Sequence, residues 1–245
     1  MTLLDDWHKA PFTADGTTHD VYRRGSGPGV IVIPEIPGPT PAVIGFAQEV
    51  VDAGFTVALT HLFGRVGVSP SGAEMARSAV QVCLSREFTK LATSVSPPIA
   101  GWLRALARDL DRSCPGRGVG VVGMCFTGGF ALAAMVEPSV LAPVLSQPSV
   151  PFPFGAARKA DINLSPADLA VVKERVAAGC PVMGLRFTGD LAVGDRFDTL
   201  RRELGAGFIP VEFPGRRHSV LTEHRQEAGV RSVLDFLHER LDSPA

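Results

Sequence analysis

Four side chains that can do chemistry follow short apolar runs: Glu35 after VIVIP, Cys125 after VGVVGM, Asp190 after VMGLRFTG, and His218 at the end of FIPVEFPGRRH. A thiol, an imidazole and a carboxylate are the parts of covalent nucleophilic catalysis. The thiol attacks, the imidazole carries the proton, and the carboxylate fixes the imidazole tautomer. Cys125 lies in VVGMCFTGGFALAAM, 121–135, between a run of valines and a glycine-rich stretch. A structural thiol hides in a core, whereas a nucleophile must face a cavity, and a tight turn from strand to helix places it there. Such a turn needs small neighbours because the strand and helix approach closely. Gly123 supplies one before the cysteine, and Gly128 and Gly129 follow. Thr127 stands where the elbow pattern calls for a second glycine. The expectation is that the turn opens slightly and that the Thr127 hydroxyl lines the pocket.

Each of these residues has rivals. Asp195 and Asp198 compete with Asp190 as the acid, although Asp195 falls where a helix begins and suits a first-turn carboxylate facing the helix dipole. His61 and His224 compete with His218. His61 precedes the cysteine in the chain, and His224 is expected on a helix start or surface loop. Cys83, Cys114 and Cys180 are read as bystanders, and no C-x-x-C pair signals a zinc ribbon or a dithiol motif. A buried Glu35 could equally serve only as the partner of an arginine.

The elements that must position these groups are legible as alternating strands and helices. Strands are expected over 29–35, 55–63, 118–124, 141–149, 181–190 and 208–218. Helices are expected over 40–55, 96–112, 126–137, 165–179 and 225–241. Ser165 is an N-cap followed by Pro166, and Gly54 ends the first helix. The segment 64–95 reads either as a helix from about Gly72 or as a flap over a pocket, and 148–155 as a proline-rich loop. Alternation at this spacing predicts one domain, 1–245, with a mostly parallel central sheet covered by helices on both faces. In such sheets ligands bind at the carboxyl ends of the strands, where all four side chains fall.

Composition narrows the partners. The chain has 245 residues, is 45% hydrophobic, and carries a formal net charge of −1, with no basic block for nucleic acid. No apolar run reaches the roughly 18 residues of a membrane span. The opening MTLLDDWHKAPF is too polar for a signal peptide, so a cytoplasmic protein with free thiols is expected. No metal or cofactor is called for.

The order nucleophile, acid, histidine is that of α/β-hydrolases. Glu35-Ile36-Pro37-Gly38 after the first core strand, the Gly123-Met124-Cys125 elbow, Gly189-Asp190, and the histidine of GRRHSV together resemble the dienelactone hydrolase family over roughly 28–240. The resemblance implies an α/β-hydrolase fold with a Cys-His-Asp triad. It also implies a carboxylic-ester hydrolase of the carboxymethylenebutenolidase type acting on a small ester or lactone. Cys125 would form the thioester, His218 would shuttle the proton, and Asp190 would orient it. Position makes the N–H of Phe126 one oxyanion donor. The second comes from Glu35, Ile36 or Gly38, because Pro34 and Pro37 have no N–H, and the resemblance points to Ile36. It further implies that Glu35 contacts the resting thiol and helps activate it when substrate binds.

Two features depart from the family: the loop and helix at 148–179 are longer than the compact family pattern, and the arginine after the histidine is missing. Members that open lactones hold the substrate carboxylate with arginines, one just after the histidine. Here Ser219, Val220, Leu221 and Thr222 occupy those positions. Arg65, Arg216 and Arg217 lie beside strand ends instead, which predicts an anionic substrate bound by Arg65 and Arg217 with Thr127. The same chemistry would serve a thioesterase or acyl transferase, and the fold alone would serve a ligand-binding protein without turnover.

Overall fold

The computed structural model describes residues 3–88 and 92–242. Its strands are β1 (His8–Ala14), β2 (Thr17–Arg24), β3 (Gly29–Ile33), β4 (Thr56–His61), β5 (Val119–Met124), β6 (Val140–Ser146), β7 (Val182–Phe187) and β8 (Phe208–Phe213). Its helices are α1 (Pro41–Asp52), α2 (Gly72–Leu84), α3 (Ile99–Ser113), α4 (Gly128–Ala134), α5 (Ala156–Ala160), α6 (Pro166–Ala177), α7 (Arg196–Leu204) and α8 (Glu227–Leu241). All eight strands form one sheet in the order β1-β2-β4-β3-β5-β6-β7-β8. The β1–β2 and β2–β4 pairs are antiparallel and the rest are parallel.

The valine-rich strands are central because both of their faces are covered. Every residue of β3 and β5 is buried. Side chains alternate between faces with period two. Val30 and Val32 therefore join one core with Phe46 and Val50 of α1 and Leu237 of α8. Ile31 and Ile33 join the other with Trp102, Leu103 and Leu106 of α3. Burying one such aliphatic side chain contributes about 1.5–3 kcal/mol. The helices start where capping predicts: Thr40 accepts from Val43 N at 3.3 Å, and Ser165 accepts from Asp168 N at 3.1 Å.

Several boundaries differ from expectation. β7 ends at Phe187 because Thr188 N and Gly189 N turn to Phe213 O and Gly215 O, both at 2.8 Å. β8 stops at Phe213, before Pro214-Gly215, so His218 stands on a loop rather than at the strand end itself. The β1–β2 hairpin is an addition to the sequence reading. It turns at Asp15-Gly16, both left-handed, with φ of 50° and 73°. The segment 64–95 contains both expected features, since α2 is a helix and also roofs the site below; residues 89–91 of that segment lie outside the described ones. Among the described residues no helix is long and apolar enough to cross a membrane.

Candidate active site

The chain reverses direction of winding between β3 and β5, which are neighbours in the sheet but separated by β4 in sequence. A crevice opens at such a switch point. Glu35 reaches it from the loop after β3, and Cys125 stands one residue beyond β5. Asp190 and His218 arrive from the loops after β7 and β8.

Cys125 has φ 53°, a left-handed conformation that is costly for a residue with a side chain. It begins a short 3-10 turn, Cys125–Thr127, that leads into α4. A Cβ at Gly123 would lie 2.3 Å from Thr127 O, so only glycine fits there. Thr127 is wholly buried and does not line the cavity, contrary to expectation. Its hydroxyl accepts from Met124 N and reaches Ile33 O, each at 3.0 Å, and so ties the elbow to the end of β3. The elbow holds without a second glycine because the threonine side chain bonds inward to backbone.

Asp190 is 8% exposed, and its Oδ2 lies 2.6 Å from His218 Nδ1. Its Oδ1 accepts from Ala192 N at 3.0 Å, which fixes the carboxylate plane. With Nδ1 donating to the carboxylate, Nε2 is the nitrogen left for the thiol. The reactive atoms of Glu35, Cys125 and His218 lie within 4.8 Å of one another. Burial opposes charge on His218, but Cys125 and Asp190 outweigh it and push the imidazole well above its ordinary range. The site therefore favours an imidazolium beside sulfur. Asp195 and Asp198 are exposed, and Asp198 pairs with Arg201 at 3.1 Å. His61 Nε2 is bonded to Gly64 O at 3.0 Å, off the cavity wall.

Glu35 is 3% exposed and has no arginine partner. Its carboxyl accepts from Ser219 Oγ at 2.8 Å, from Gln147 Nε2 at 3.2 Å and from the Thr222 hydroxyl. Burial pushes its pKa up, and the three neutral donors and the nearby His218 only partly compensate. The thiol's own hydroxyl contact is Ser149 Oγ, at 3.4 Å. Gly38 N is spent on Glu35 O at 2.7 Å, so the second oxyanion donor narrows to Glu35 or Ile36, and Ile36 stands on the cavity wall. Glu35, Cys125 and His218 are also the group among the described residues whose ligand atoms could hold a metal ion.

The cavity over Cys125 measures about 460 Å³. Its wall includes Ile36, Pro37, Met75, Ala79, Phe152 and Ala192, with Cys125 and His218 at its base. Arg65 and Arg217 are not on it. Arg65 is held by Glu74, at 2.5 Å, and Arg217 is exposed to solvent. An exposed guanidinium finds the nearest carboxylate, and Glu74 in the first turn of α2 supplies it. His224, expected on the surface, does line the cavity, and its N–H bonds Ser219 O at 3.1 Å. Sequence reasoning missed Gln147, Ser149 and Thr222, whose polar side chains carry no motif. The signal for Gln147 and Ser149 was their place directly after β6.

The model of the dienelactone hydrolase family matches residues 18–161, more than half of the chain, and the protein belongs to that family. Its fold is accordingly the α/β-hydrolase fold. A dienelactone hydrolase from Anabaena variabilis superposes with a TM-score of 0.64 at 16% identity, covering 96% of this chain and 98% of the other. A dienelactone hydrolase-like promiscuous phosphotriesterase from metagenomic libraries gives 0.65 at 17% identity, covering 96% and 98%. A cold-adapted esterase from an Arctic intertidal metagenomic library gives 0.61 at 16% identity, covering 96% and 94%. No curated protein matches the sequence significantly.

Proposed function

We propose that the protein hydrolyses small carboxylic esters or lactones through Cys125, with His218 as proton carrier and Asp190 as its orienter. The supporting observation is the chain of contacts from Asp190 through His218 to a thiol set on a left-handed elbow. Sulfur attacks the carbonyl carbon, and its proton resides on His218 Nε2. The oxyanion that forms is met by the N–H groups of Phe126 and Ile36. Collapse expels the alkoxide, which takes the proton from Nε2 and leaves a thioester on Cys125. Water then attacks the thioester carbonyl, giving its proton to Nε2. The acid departs, and the thiolate recovers with the imidazolium beside it.

The carboxymethylenebutenolidase type is disfavoured by the cavity wall, which among the described residues presents no arginine or lysine to a substrate carboxylate. Cys83, Cys114, Cys125 and Cys180 are all outside disulfides, which suits a reducing compartment such as the cytoplasm. The test is turnover of p-nitrophenyl esters by the protein and by its Cys125→Ala and His218→Ala variants. Loss of the proton carrier should cost about 10²–10⁴-fold. Full turnover by both variants would refute the proposal. Product analysis with an added alcohol or amine separates hydrolysis from acyl transfer.

A further inference from the structure

Three features of the cavity bear on what it accepts. The first is its lining. The walls around Cys125 include Ile36 and Pro37 from the β3 loop, Phe152, Ala192, and Met75 and Ala79 of α2. That helix is anchored: Ser78 Oγ donates to Pro37 O at 2.7 Å, and Gln81 Oε1 accepts from Gly64 N at 2.8 Å. The apolar surface of α2 is therefore held at the cavity by polar bonds.

The second feature is the mouth. Leu191, next to Ala192 of the wall, is 85% exposed, and Phe154, next to Pro153 of the wall, is 70% exposed. Met75, itself on the wall, is 44% exposed. Large apolar side chains in water around the entrance of an apolar cleft mark a surface that a ligand covers. The volume, about 460 Å³, falls within the range of small-molecule sites.

The third feature is charge. Among the described residues the wall carries the carboxylates Glu35 and Glu223 and the imidazoles His218 and His224, but no arginine or lysine. Arg216 and Arg217 are exposed to solvent and off the wall, and three further arginines are committed elsewhere. Arg65 is bound to Glu74, Arg225 is bound to Glu49 at 2.7 Å and to Glu227 at 2.6 Å, and buried Arg196 donates to Val193 O at 2.8 Å and Arg158 O at 3.0 Å. A carboxylate at the far end of an acyl chain, away from His218, would lose its hydration without meeting an arginine or lysine among the described wall residues, which is costly. Glu223, exposed at the wall, repels it as well.

Resting on the reading of Cys125 as an acyl-accepting thiol, we infer that this site takes neutral esters with an extended apolar acyl chain and rejects acyl groups bearing a carboxylate. The chain lies between Phe152 and Met75 and leaves the cleft past Leu191 or Phe154. The alcohol part is left open to solvent.

The experiment compares kcat/KM for p-nitrophenyl acetate, butyrate, hexanoate and octanoate, and for the mono-p-nitrophenyl ester of adipic acid. That last substrate is the hexanoate ester with a carboxylate at its far end. Each methylene that enters the cleft should raise kcat/KM by at most about fourfold. The adipate ester should fall at least about tenfold below hexanoate, the size of a 1.4 kcal/mol penalty. Met75→Arg should narrow the gap between those two substrates. A flat chain-length series, or an adipate ester used as well as hexanoate, overturns the inference. A binding measurement keeps it testable without turnover. N-methyloctanamide should slow alkylation of Cys125 by iodoacetamide, and suberic acid mono-methylamide should not. Equal protection by both amides would also overturn it. Absence of turnover with protection by the neutral amide would instead refute only the hydrolase reading.

Discussion

Two buried carboxylates serve the site from opposite sides of β5, Glu35 on the cavity wall from the β3 loop and Asp190 behind His218 from the β7 loop. They are similar in exposure, at 3% and 8%. Their partners differ in kind. Asp190 faces an imidazole at 2.6 Å, and a backbone N–H holds its other oxygen. Glu35 faces two hydroxyls and an amide, all neutral, and lies near His218 without a hydrogen bond to it. Burial of a carboxyl without a bonded cation raises its pKa. The comparison teaches that burial at a strand end does not by itself define a catalytic acid. The charge of the bonded partner decides whether the carboxylate works as an anion or sits as a polar, proton-holding part of the wall. A Glu35 that holds its proton does not repel the thiolate; one that ionises does.

The sharpest way to break the comparison is at the anionic side. Asp190→Asn should lower kcat by about 10⁴-fold, because an amide favours the wrong imidazole tautomer. Asp195→Asn, at an exposed position, should leave kcat within about twofold. The reverse pattern would show that the acid is misassigned.

The neutral side is tested through stability. A carboxyl with a raised folded-state pKa keeps its proton in the native state after the unfolded chain has released it. Wild-type stability should therefore fall as pH rises from about 4.3 through the raised value. Glu35→Gln removes that loss, and the Thr222 hydroxyl can turn to accept from the new amide. Thermal midpoints of the two proteins should nearly coincide at acid pH and diverge in favour of Glu35→Gln as pH rises. A constant difference across pH would mean that Glu35 is ionised throughout. Alkylation of Cys125 should diverge with the same sign, slower in the wild type as Glu35 ionises.

A third test acts at the hinge between the two sides. Thr127→Ala removes the bonds from the elbow to Ile33 O and from Met124 N, and should cost about 1–3 kcal/mol in denaturant unfolding. Thr127→Gly would restore the glycine pattern without restoring the tether, and should be no more stable than the alanine variant. A glycine variant as stable as wild type would show that the tether contributes nothing.

Much of this was legible in the chain. Glu35, Cys125 and Asp190 each follow an apolar run, and the alternation of strands and helices brings such run ends to one edge of a sheet. The elbow was legible in Gly123-x-Cys125, even with Thr127 out of pattern. The β1–β2 hairpin was missed, although Asp15-Gly16 between alternating residues is a strong local turn signal. The cradle of Glu35 was not legible for a different reason. Gln147 and Ser219 meet Glu35 across 112 and 184 residues, and a neutral polar side chain gives no sign in sequence of the distant group it will serve. The arginines misled in the opposite way. Their charge was visible, but whether each finds a substrate or a nearby carboxylate such as Glu74 is decided only by the packing of α2.

The central claim is that Cys125 carries the acyl group. The direct measurement is mass spectrometry of the protein quenched with acid during turnover of p-nitrophenyl hexanoate, with the adduct located by peptide mapping. The account predicts a hexanoyl thioester on the peptide containing Cys125, absent from Cys125→Ala. A hexanoyl group on Ser149 or another residue, or undiminished turnover by Cys125→Ala without any adduct, would contradict it.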